Sequence, residues 1–494
     1  MSTIVVTTEE RKIEAEKGDD LLSILRSAGI HIAADCGGHG TCGKCAVDIV
    51  TGDDTERILA CGYRVLTDIS VRLPDKDAGG IKTANRTGDL DLSYDAAACD
   101  LGTTTVSIAV VRNGRLFEKT EINRLTGYGS DVISRASYIK EHDALGKLSG
   151  ELKRQIYEMT ETLCAENHVP IPEEMCIGGN TVMQHILAGK DPFPITVYPF
   201  APETLFLGDD SILDICGIKA HLMPCVAGYF GGDLTAGLFY LEDRLKGVGN
   251  ALFIDIGTNG EMALISGDAV TCCSVASGPA FEGGNIECGM PGTNGAVEHA
   301  TIKNGKLVCK VIGNVPAKGI CGSGLIDIVS ALLDEGIIDM SGRFLPPEES
   351  EVELDGYTED DDENGSLALA DGVYLSAKDV RMLQMAKAAV AAGIETLMSE
   401  TSISAEDIDA VFLAGGFGTL LDIGSAVNIG MIPAALKDRC IPVGNTSLKG
   451  TMKAMSRGMP EKELISVKEK CRYVELSQLG SFNERYIDNM MFGG

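Results

Sequence analysis

The sequence predicts an α/β multidomain chain, in which a small metal-binding β domain precedes a duplicated α/β unit with a cleft between its halves. Three observations carry that prediction. First, Leu252-Phe253-Ile254-Asp255-Ile256-Gly257-Thr258-Asn259-Gly260-Glu261 is an apolar run of strand type that stops at an Asp and turns on two glycines. A buried strand holds one carboxylate rigid at its tip, glycine lets backbone approach a phosphate, and Thr and Asn add donors. Second, Ala98-Cys99-Asp100-Leu101-Gly102-Thr103-Thr104-Thr105 repeats the Asp-x-Gly-Thr pattern. Each copy is followed by a strand ending in paired glycines, Gly178-Gly179 and Gly415-Gly416. The same elements recurring in the same order indicate a duplication. Third, Cys36, Cys42 and Cys45 have the spacing Cys-x5-Cys-x2-Cys, and Cys61 follows beyond a strand.

A chain of 494 residues has room for about three domains. Its formal charge of −30 and pI near 4.6 argue against a nucleic-acid partner, and no Lys/Arg cluster offsets them. No apolar run reaches membrane-spanning length, and the N-terminus lacks the basic and apolar regions of an export signal. Sixteen cysteines without such a signal imply thiols and metal ligands in a reducing cytoplasm.

Taken in order, residues 3–7 and 11–15 read as a strand hairpin, followed by a short helix opened by Asp19-Asp20 and closed by Gly29. The glycine-filled cysteine loop suits an iron pair, because glycines leave room for sulfides and offer N–H groups to them. Cys61 completes a four-thiolate set. Zinc is the competing ligand reading, but a single Cys-x2-Cys unit and the five-residue glycine loop favour [2Fe–2S]. His39 in this loop reads as a solvent-facing residue. The expected domains are 1–74 for this unit, 75–95 for a flexible linker, 96–245 for a first lobe and 246–494 for a second. In the first lobe, His185 reads as a packed residue and Asp233 as a helix cap rather than a water-orienting carboxylate. Residues 192–224, punctuated by prolines, read as an insertion or crossover. In the second lobe, 276–284 and 318–327 are small-residue turns of the kind that lie against a nucleotide. The acidic run 359–363 reads as a solvated loop, 377–397 as a long Ala-rich helix, and the C-terminal tail carries no signal. No Gly-x4-Gly-Lys-Ser/Thr motif is present, which excludes a P-loop NTPase.

The N-terminal piece resembles the plant-type and adrenodoxin-type ferredoxins, which implies a β-grasp fold, with a shorter gap between Cys45 and Cys61 than those proteins have. The pair Asp100-x-Gly-Thr-Thr and Asp255-x-Gly-Thr-Asn, closed by Ala414-Gly-Gly-Phe-Gly418, resembles the actin/sugar-kinase/Hsp70 ATPase superfamily, implying a duplicated actin-like (ribonuclease H-like) domain. The whole chain resembles the reductive activators of corrinoid proteins, on Gly129-Ser-Asp-Val-Ile-Ser-Arg135, Gly179-Asn-Thr-Val-Met183, Ser277-Gly-Pro-Ala-Phe-Glu-Gly283 and Gly319-Ile-Cys-Gly-Ser-Gly324. Larger members of that family carry a longer linker and a middle domain, for which the short linker here leaves no room.

The resemblance implies an ATP-dependent iron–sulfur enzyme that reduces cob(II)amide to cob(I)amide in a methyltransferase system. Its implied cofactors are [2Fe–2S], ATP and Mg²⁺. Its partners would be a corrinoid protein and an upstream low-potential electron donor, and the enzyme would be a homodimer through the ATPase unit. Asp100 and Asp255 would organise Mg²⁺ and phosphate, with Glu261 orienting water. Gly102, Thr103, Thr104, Gly257, Thr258, Asn259, Gly322, Ser323 and Gly324 would face phosphates and sugar, and Gly415, Gly416, Phe417 and Gly418 would underlie adenine. Three alternatives remain: an activator of a radical enzyme such as a 2-hydroxyacyl-CoA dehydratase, with a [4Fe–4S] cluster on Cys272, Cys273, Cys288 and Cys321; an ATP-gated redox regulator; and a metabolite kinase.

Overall fold

Both Asp-x-Gly-Thr segments sit at the centre of six-stranded sheets, and the two sheets share a core order. The computed structural model describes residues 3–493 apart from 9–10, 29, 31, 33, 35–37, 39, 41–44, 52–53, 74–89, 304, 347–356 and 359–364. In the first sheet the order is Ile212–Ile215, Ile218–Leu222, Glu174–Gly179, Ala96–Leu101, Thr105–Arg112, Arg115–Ile122. In the second it is Cys440–Gly444, Ala410–Ala414, Asn250–Ile256, Gly260–Ser266, Ala269–Val275, Cys471–Tyr473. Each sheet thus has an antiparallel meander of three strands, and the first strand of each meander pairs in parallel with the strand that ends in glycines.

The register explains those glycines. Asp100 lies beside Gly178 and Leu101 beside Gly179, where a Cβ would come within 2.8 Å of the Leu101 carbonyl oxygen. Gly415 has φ +78°, and a Cβ there would sit 2.7 Å from Asp255 Oδ1. Only glycine lets the neighbouring chain turn so close to each carboxylate.

The boundary between 245 and 246 does not separate the packing units. Helix Gly232–Leu241 follows the first sheet, yet Phe230, Leu234 and Leu238 share a core with Phe253, Ala263 and Phe412 of the second. Helix Thr446–Ser456 follows the second sheet, yet Leu448 and Met452 pack with Ala96, Ala98 and Val111 of the first. The two helices cross so closely that a Cβ on Gly450 would fall 1.9 Å from the Ala236 carbonyl oxygen. The halves are therefore cross-braced. The proline-punctuated stretch 192–224 supplies the two outer strands of the first sheet.

The N-terminal domain is a five-stranded mixed sheet in the order Lys12–Glu16, Thr3–Thr8, Ile69–Arg72, Ala46–Thr51, Asp54–Leu59. Helix Leu21–Ser27 is capped by Asp20 and buries Leu21, Leu22, Ile24 and Leu25 against it. Gly29, His39 and the acidic run 359–363 lie outside the described residues, as does the linker apart from 90–95. Those six residues belong to the first lobe: Leu90 and Leu92 pack on its core, and Asp95 pairs with Arg112 at 2.7 Å. The long helix runs Ala377–Thr401, opened by a Ser376–Asp379 capping box. The tail clasps it through helix Gly480–Asp488 and bonds from Gln384 and Lys387 to the Met490 and Met491 carbonyls. Among the described residues no helix is long and apolar enough to cross a membrane.

Candidate nucleotide cleft and iron–sulfur site

A cleft of about 1460 Å³, its solvent mouth included, opens between the lobes. Asp100, Gly102, Thr103, Thr104, Gly257, Thr258, Asn259, Glu261, Gly322, Ser323, Gly415, Gly416 and Phe417 all line it, together with Asp255. Gly324 and Gly418 do not. Gly324 is a packing glycine, since a Cβ would meet the Val297 carbonyl oxygen at 2.1 Å, and Gly418 lies against the Leu413 backbone.

Five helices present their N-terminal residues to the cleft: Thr181–Ala188 with cap Asn180, Gly232–Leu241, Gly322–Asp334, the short Gly415–Leu420, and Thr446–Ser456 with cap Asn445. Each start carries N–H groups without intrahelical partners and the positive end of the helix dipole. Neither Lys nor Arg is among the described lining residues, whereas Asp100, Asp233, Asp255, Glu261 and Glu282 are.

Crowding of these acids in a recess poor in water raises their affinity for protons. Burial, then the charge of Asp100, pushes Asp255 up to about 7. Burial, then Asp100 and Asp255, pushes Asp233 up to about 8, and burial with Asp233 and Asp255 holds Glu261 well above the usual range. Asp100 is raised by burial, against which Ser447 and then Asn445, whose Nδ2 donates to Oδ2 at 2.7 Å, favour the ionised form. Asp233 is not the cap: Gly231 holds that position, no side chain caps the helix, and Asp233 stands inside its first turn. Its carboxylate accepts from the Leu234 N–H and from its own backbone N–H, and it faces the other acids.

Among the described residues no three His, Cys, Asp or Glu groups converge on one ion. The donor set therefore suits Mg²⁺ held through waters and phosphate oxygens, the mode this ion prefers. Ser447, buried on the cleft wall against Asp100, acts with Asn445 to favour the ionised carboxylate, the form that such a ligand shell requires. Asn180 caps its helix through Met183 N and donates to Thr103 Oγ1 at 3.0 Å. Phe417 faces Phe281 with centroids 4.8 Å apart, an apolar wall at one side of the cleft.

In the N-terminal domain, Cys45 Sγ and Cys61 Sγ lie 3.3 Å apart, well beyond the ~2.05 Å of a disulfide. Cys45 is buried, and Gly38, with φ +106°, places its backbone beside Cys61. Two thiols facing each other beside Gly38 fit a cluster-binding corner. Cys36 and Cys42 lie outside the described residues. Arg26 of the same domain is buried with its guanidinium 4.9 Å over the Tyr128 ring of the first lobe. Tyr128 ends a 3₁₀ turn, Arg124–Tyr128, capped by Asn123, and Asn123 Nδ2 donates to the Gly102 carbonyl at 2.7 Å. One continuous contact thus joins the first hairpin to the cysteine-bearing domain.

Cys272 and Cys273 are fully buried in a strand, and Cys321 donates to the Val297 carbonyl. Together with Cys288 they form no group of metal ligands among the described residues. His185 is packed: fully buried, with Nδ1 2.7 Å from the Thr181 carbonyl and a proton affinity lowered by burial.

The residues given no site role from sequence are Asn180, Glu282, Asn445 and Ser447, while Asp233 stands there as the less favoured water-orienting reading. Glu282 left a signal, standing inside the 276–284 turn. Asn445 and Ser447 left none, because they reach Asp100 from about 345 positions away.

Comparisons with known proteins agree with this architecture. The family "2Fe-2S iron-sulfur cluster binding domain" matches residues 4–66, "RACo middle region" matches 96–243, and "C-terminal domain of RACo the ASKHA domain" matches 249–494. The middle region expected to be missing is therefore present, in the segment read as the first lobe. The "Corrinoid activation enzyme RamQ" of Eubacterium limosum is 25% identical over 583 aligned positions, covering 98% of each chain. The "[Co(II) methylated amine-specific corrinoid protein] reductase" of Methanosarcina barkeri is 27% identical over 54% of this chain and 51% of its own. A solved "Reductive activator for corrinoid,iron-sulfur protein" matches with TM-score 0.71 and 28% identity, covering 99% of this chain and 98% of that one. With a ferredoxin-like domain, the middle region and the ASKHA domain in this order along nearly its whole length, the chain belongs to the RACo-type family of reductive corrinoid activators.

Proposed function

We propose that the chain carries out ATP-dependent reductive activation of a corrinoid protein, passing one electron from a [2Fe–2S] cluster to cob(II)amide and yielding cob(I)amide. One observation carries the nucleotide part of this reading. Two Asp-x-Gly-Thr hairpins face a single cleft that holds helix N-termini and carboxylates but, among the described residues, no lining Lys or Arg. Such a wall repels a bare polyphosphate and accepts one that arrives with a divalent cation.

Gly102, Thr103, Gly257 and Asn259 would cradle the phosphates, and Thr104 and Thr258 would donate once their hydroxyls are free. Asp100 and Asp255 would hold Mg²⁺ through its water shell, and Glu261 would orient the attacking water. Phe417 and Phe281 would flank the adenine. Bound Mg²⁺ supplies charge neutralisation between the carboxylates and the phosphates. Cys36, Cys42, Cys45 and Cys61 would hold the cluster, which supplies the single electron. Plant-type clusters lie near about −400 mV, and each ~59 mV of uphill one-electron gap costs a factor of ten in equilibrium. Nucleotide must therefore favour a more reducible arrangement of the complex by several kcal/mol of differential affinity. The Arg26–Tyr128–Asn123–Gly102 contact gives the chain a physical connection between the two sites.

Family membership supports an upstream low-potential donor, a homodimer through the ATPase unit and a cytoplasmic setting. The deciding experiment follows cob(II)amide loss optically and anaerobically, with and without Mg-ATP. Wild type should show nucleotide-dependent reduction and Asp255→Ala should not. Equal reduction without nucleotide would refute the coupling.

A further inference from the structure

Glu282 is placed where a phosphate would be. Its Oε2 accepts from Thr104 Oγ1 of the first hairpin at 2.8 Å and from Thr258 Oγ1 of the second at 2.8 Å. Its Oε1 lies beside the turn glycine Gly257, 3.4 Å from where a Cβ would be. The carboxylate thus bridges both lobes, on the two hydroxyls and the glycine assigned above to phosphate.

Its own backbone is held firmly. Glu282 ends the 3₁₀ turn Pro279–Glu282, set between Gly278 at φ +73° and Gly283 at φ +79°. A Cβ on Gly283 would come within 2.5 Å of the Met290 carbonyl oxygen. Ser277 Oγ donates to the Gly257 carbonyl at 3.0 Å, fastening this turn to the second hairpin. From the first lobe, the fully buried Arg135 lies within electrostatic reach of Glu282. Arg135 bonds through Nε to the Gly129 carbonyl, and its Nη2 is without a hydrogen-bond partner.

A hydroxyl has one proton to donate. Both threonine protons are committed to Glu282, so a phosphate oxygen can receive them only when Glu282 leaves. A phosphate beside that carboxylate would also meet a like charge at close range. We propose that Glu282 is an internal phosphate mimic, a latch that ties the two lobes in the nucleotide-free protein and that incoming phosphate must displace. This deepens the nucleotide reading given above and rests on it. Glu282 is a positioning residue here, acting through Thr104 and Thr258.

The test is calorimetric titration of the full-length, anaerobically purified holoprotein with Mg-ADP, adenosine and inorganic phosphate. Wild type, Glu282→Gln and Glu282→Ala are compared, with thermal melts confirming that each is folded. Removing the competing anion should tighten Mg-ADP by about tenfold, one decade per 1.4 kcal/mol, with Glu282→Ala at least as strong as Glu282→Gln. Adenosine, which carries no phosphate, should bind all three alike. Unchanged or weaker Mg-ADP binding in both variants would overturn the latch, and weaker binding would make Glu282 a group that helps hold the nucleotide. Should wild type bind no nucleotide at all, the function proposed above fails. The phosphate titration then still decides the latch, because Glu282→Ala must bind phosphate more tightly than wild type.

Discussion

The two Asp-x-Gly-Thr hairpins share a pattern and a place in their sheets, yet they have different surroundings. Across the first hairpin, Asp100 pairs with Ser107. Across the second, Asp255 pairs with Glu261. Asp100 receives a hydrogen bond from Asn445, whereas Asp255 is governed by burial and by the charge of Asp100. The first carboxylate is anchored by a donor, and the second is crowded by acid. The first hairpin also connects through Asn123 and Tyr128 to Arg26 of the cysteine-bearing domain. Duplication thus supplied two similar hairpins with unlike neighbours: one is anchored and linked to the cysteine-bearing domain, and in the proposed function the other, crowded by acid, would create the demand for a cation.

The largest test of that division removes each carboxylate in turn. Asp255→Ala should lower Mg-ATP turnover by about 10²–10³-fold, the scale seen when a preorganised electrostatic group is lost. Asp100→Ala should be comparably damaging. Both should keep the visible spectrum of the cluster. Glu261→Gln, at the position where the hairpins differ, should cost about 10²-fold in turnover and leave nucleotide affinity nearly unchanged. Equal loss from Ser107→Ala would erase the proposed asymmetry.

Next in size is Asn445→Ala, expected to cost about tenfold in turnover, in line with losing a hydrogen bond to a charged group. It should add nothing in an Asp100→Ala background and its full effect in an Asp255→Ala background. A double-mutant cycle reads this directly.

The proton affinities give a pH test. Asp255 near 7 and Asp233 near 8 bind protons in the folded, nucleotide-free protein that an unfolded chain would release near pH 4. The folded state therefore holds more protons across that window, so its stability falls as pH rises from about 4 to 8. Mg-ADP should expel those protons. Its affinity should accordingly rise toward pH 8, and it should restore the melting temperature most at the alkaline end. Asp255→Asn should remove the lower part of this dependence, as seen in calorimetry with buffers of different ionisation enthalpy.

The smallest expected effect is at the domain contact. Arg26→Ala removes a cation–π contact worth about 1 kcal/mol or more when desolvated. Hydrogen exchange at residues 124–128 should rise several-fold, and nucleotide should no longer alter it. A matching change at the second hairpin would contradict the one-sided linkage.

Much of the site was legible because it is local. The strand-Asp-Gly-Thr turns, the glycine-ended strands and the cysteine spacing are written in contiguous residues, and their side chains line the cleft or face each other across 3.3 Å. The errors have physical causes. Gly324 and Gly418 resemble their cleft-lining neighbours in sequence but serve close packing. Asp233 stands in the first turn of a helix, where an acid reads as a cap, although Gly231 is the cap and Asp233 belongs among the acids of the cleft. The proline-rich stretch 192–224 conceals the edge strand Ile212–Ile215 and its neighbour Ile218–Leu222, two short strands that leave little apolar periodicity.

Sequence by itself determined the duplicated hairpins, the cysteine site and the class of fold, since chain periodicity and ligand spacing depend only on neighbouring residues. Tertiary structure alone decided that Asn445 anchors Asp100, that Glu282 bridges Thr104 and Thr258, and that helices 232–241 and 446–456 cross at Gly450 to brace opposite sheets. Those contacts join positions that only folding brings together, and no local pattern in the chain records them.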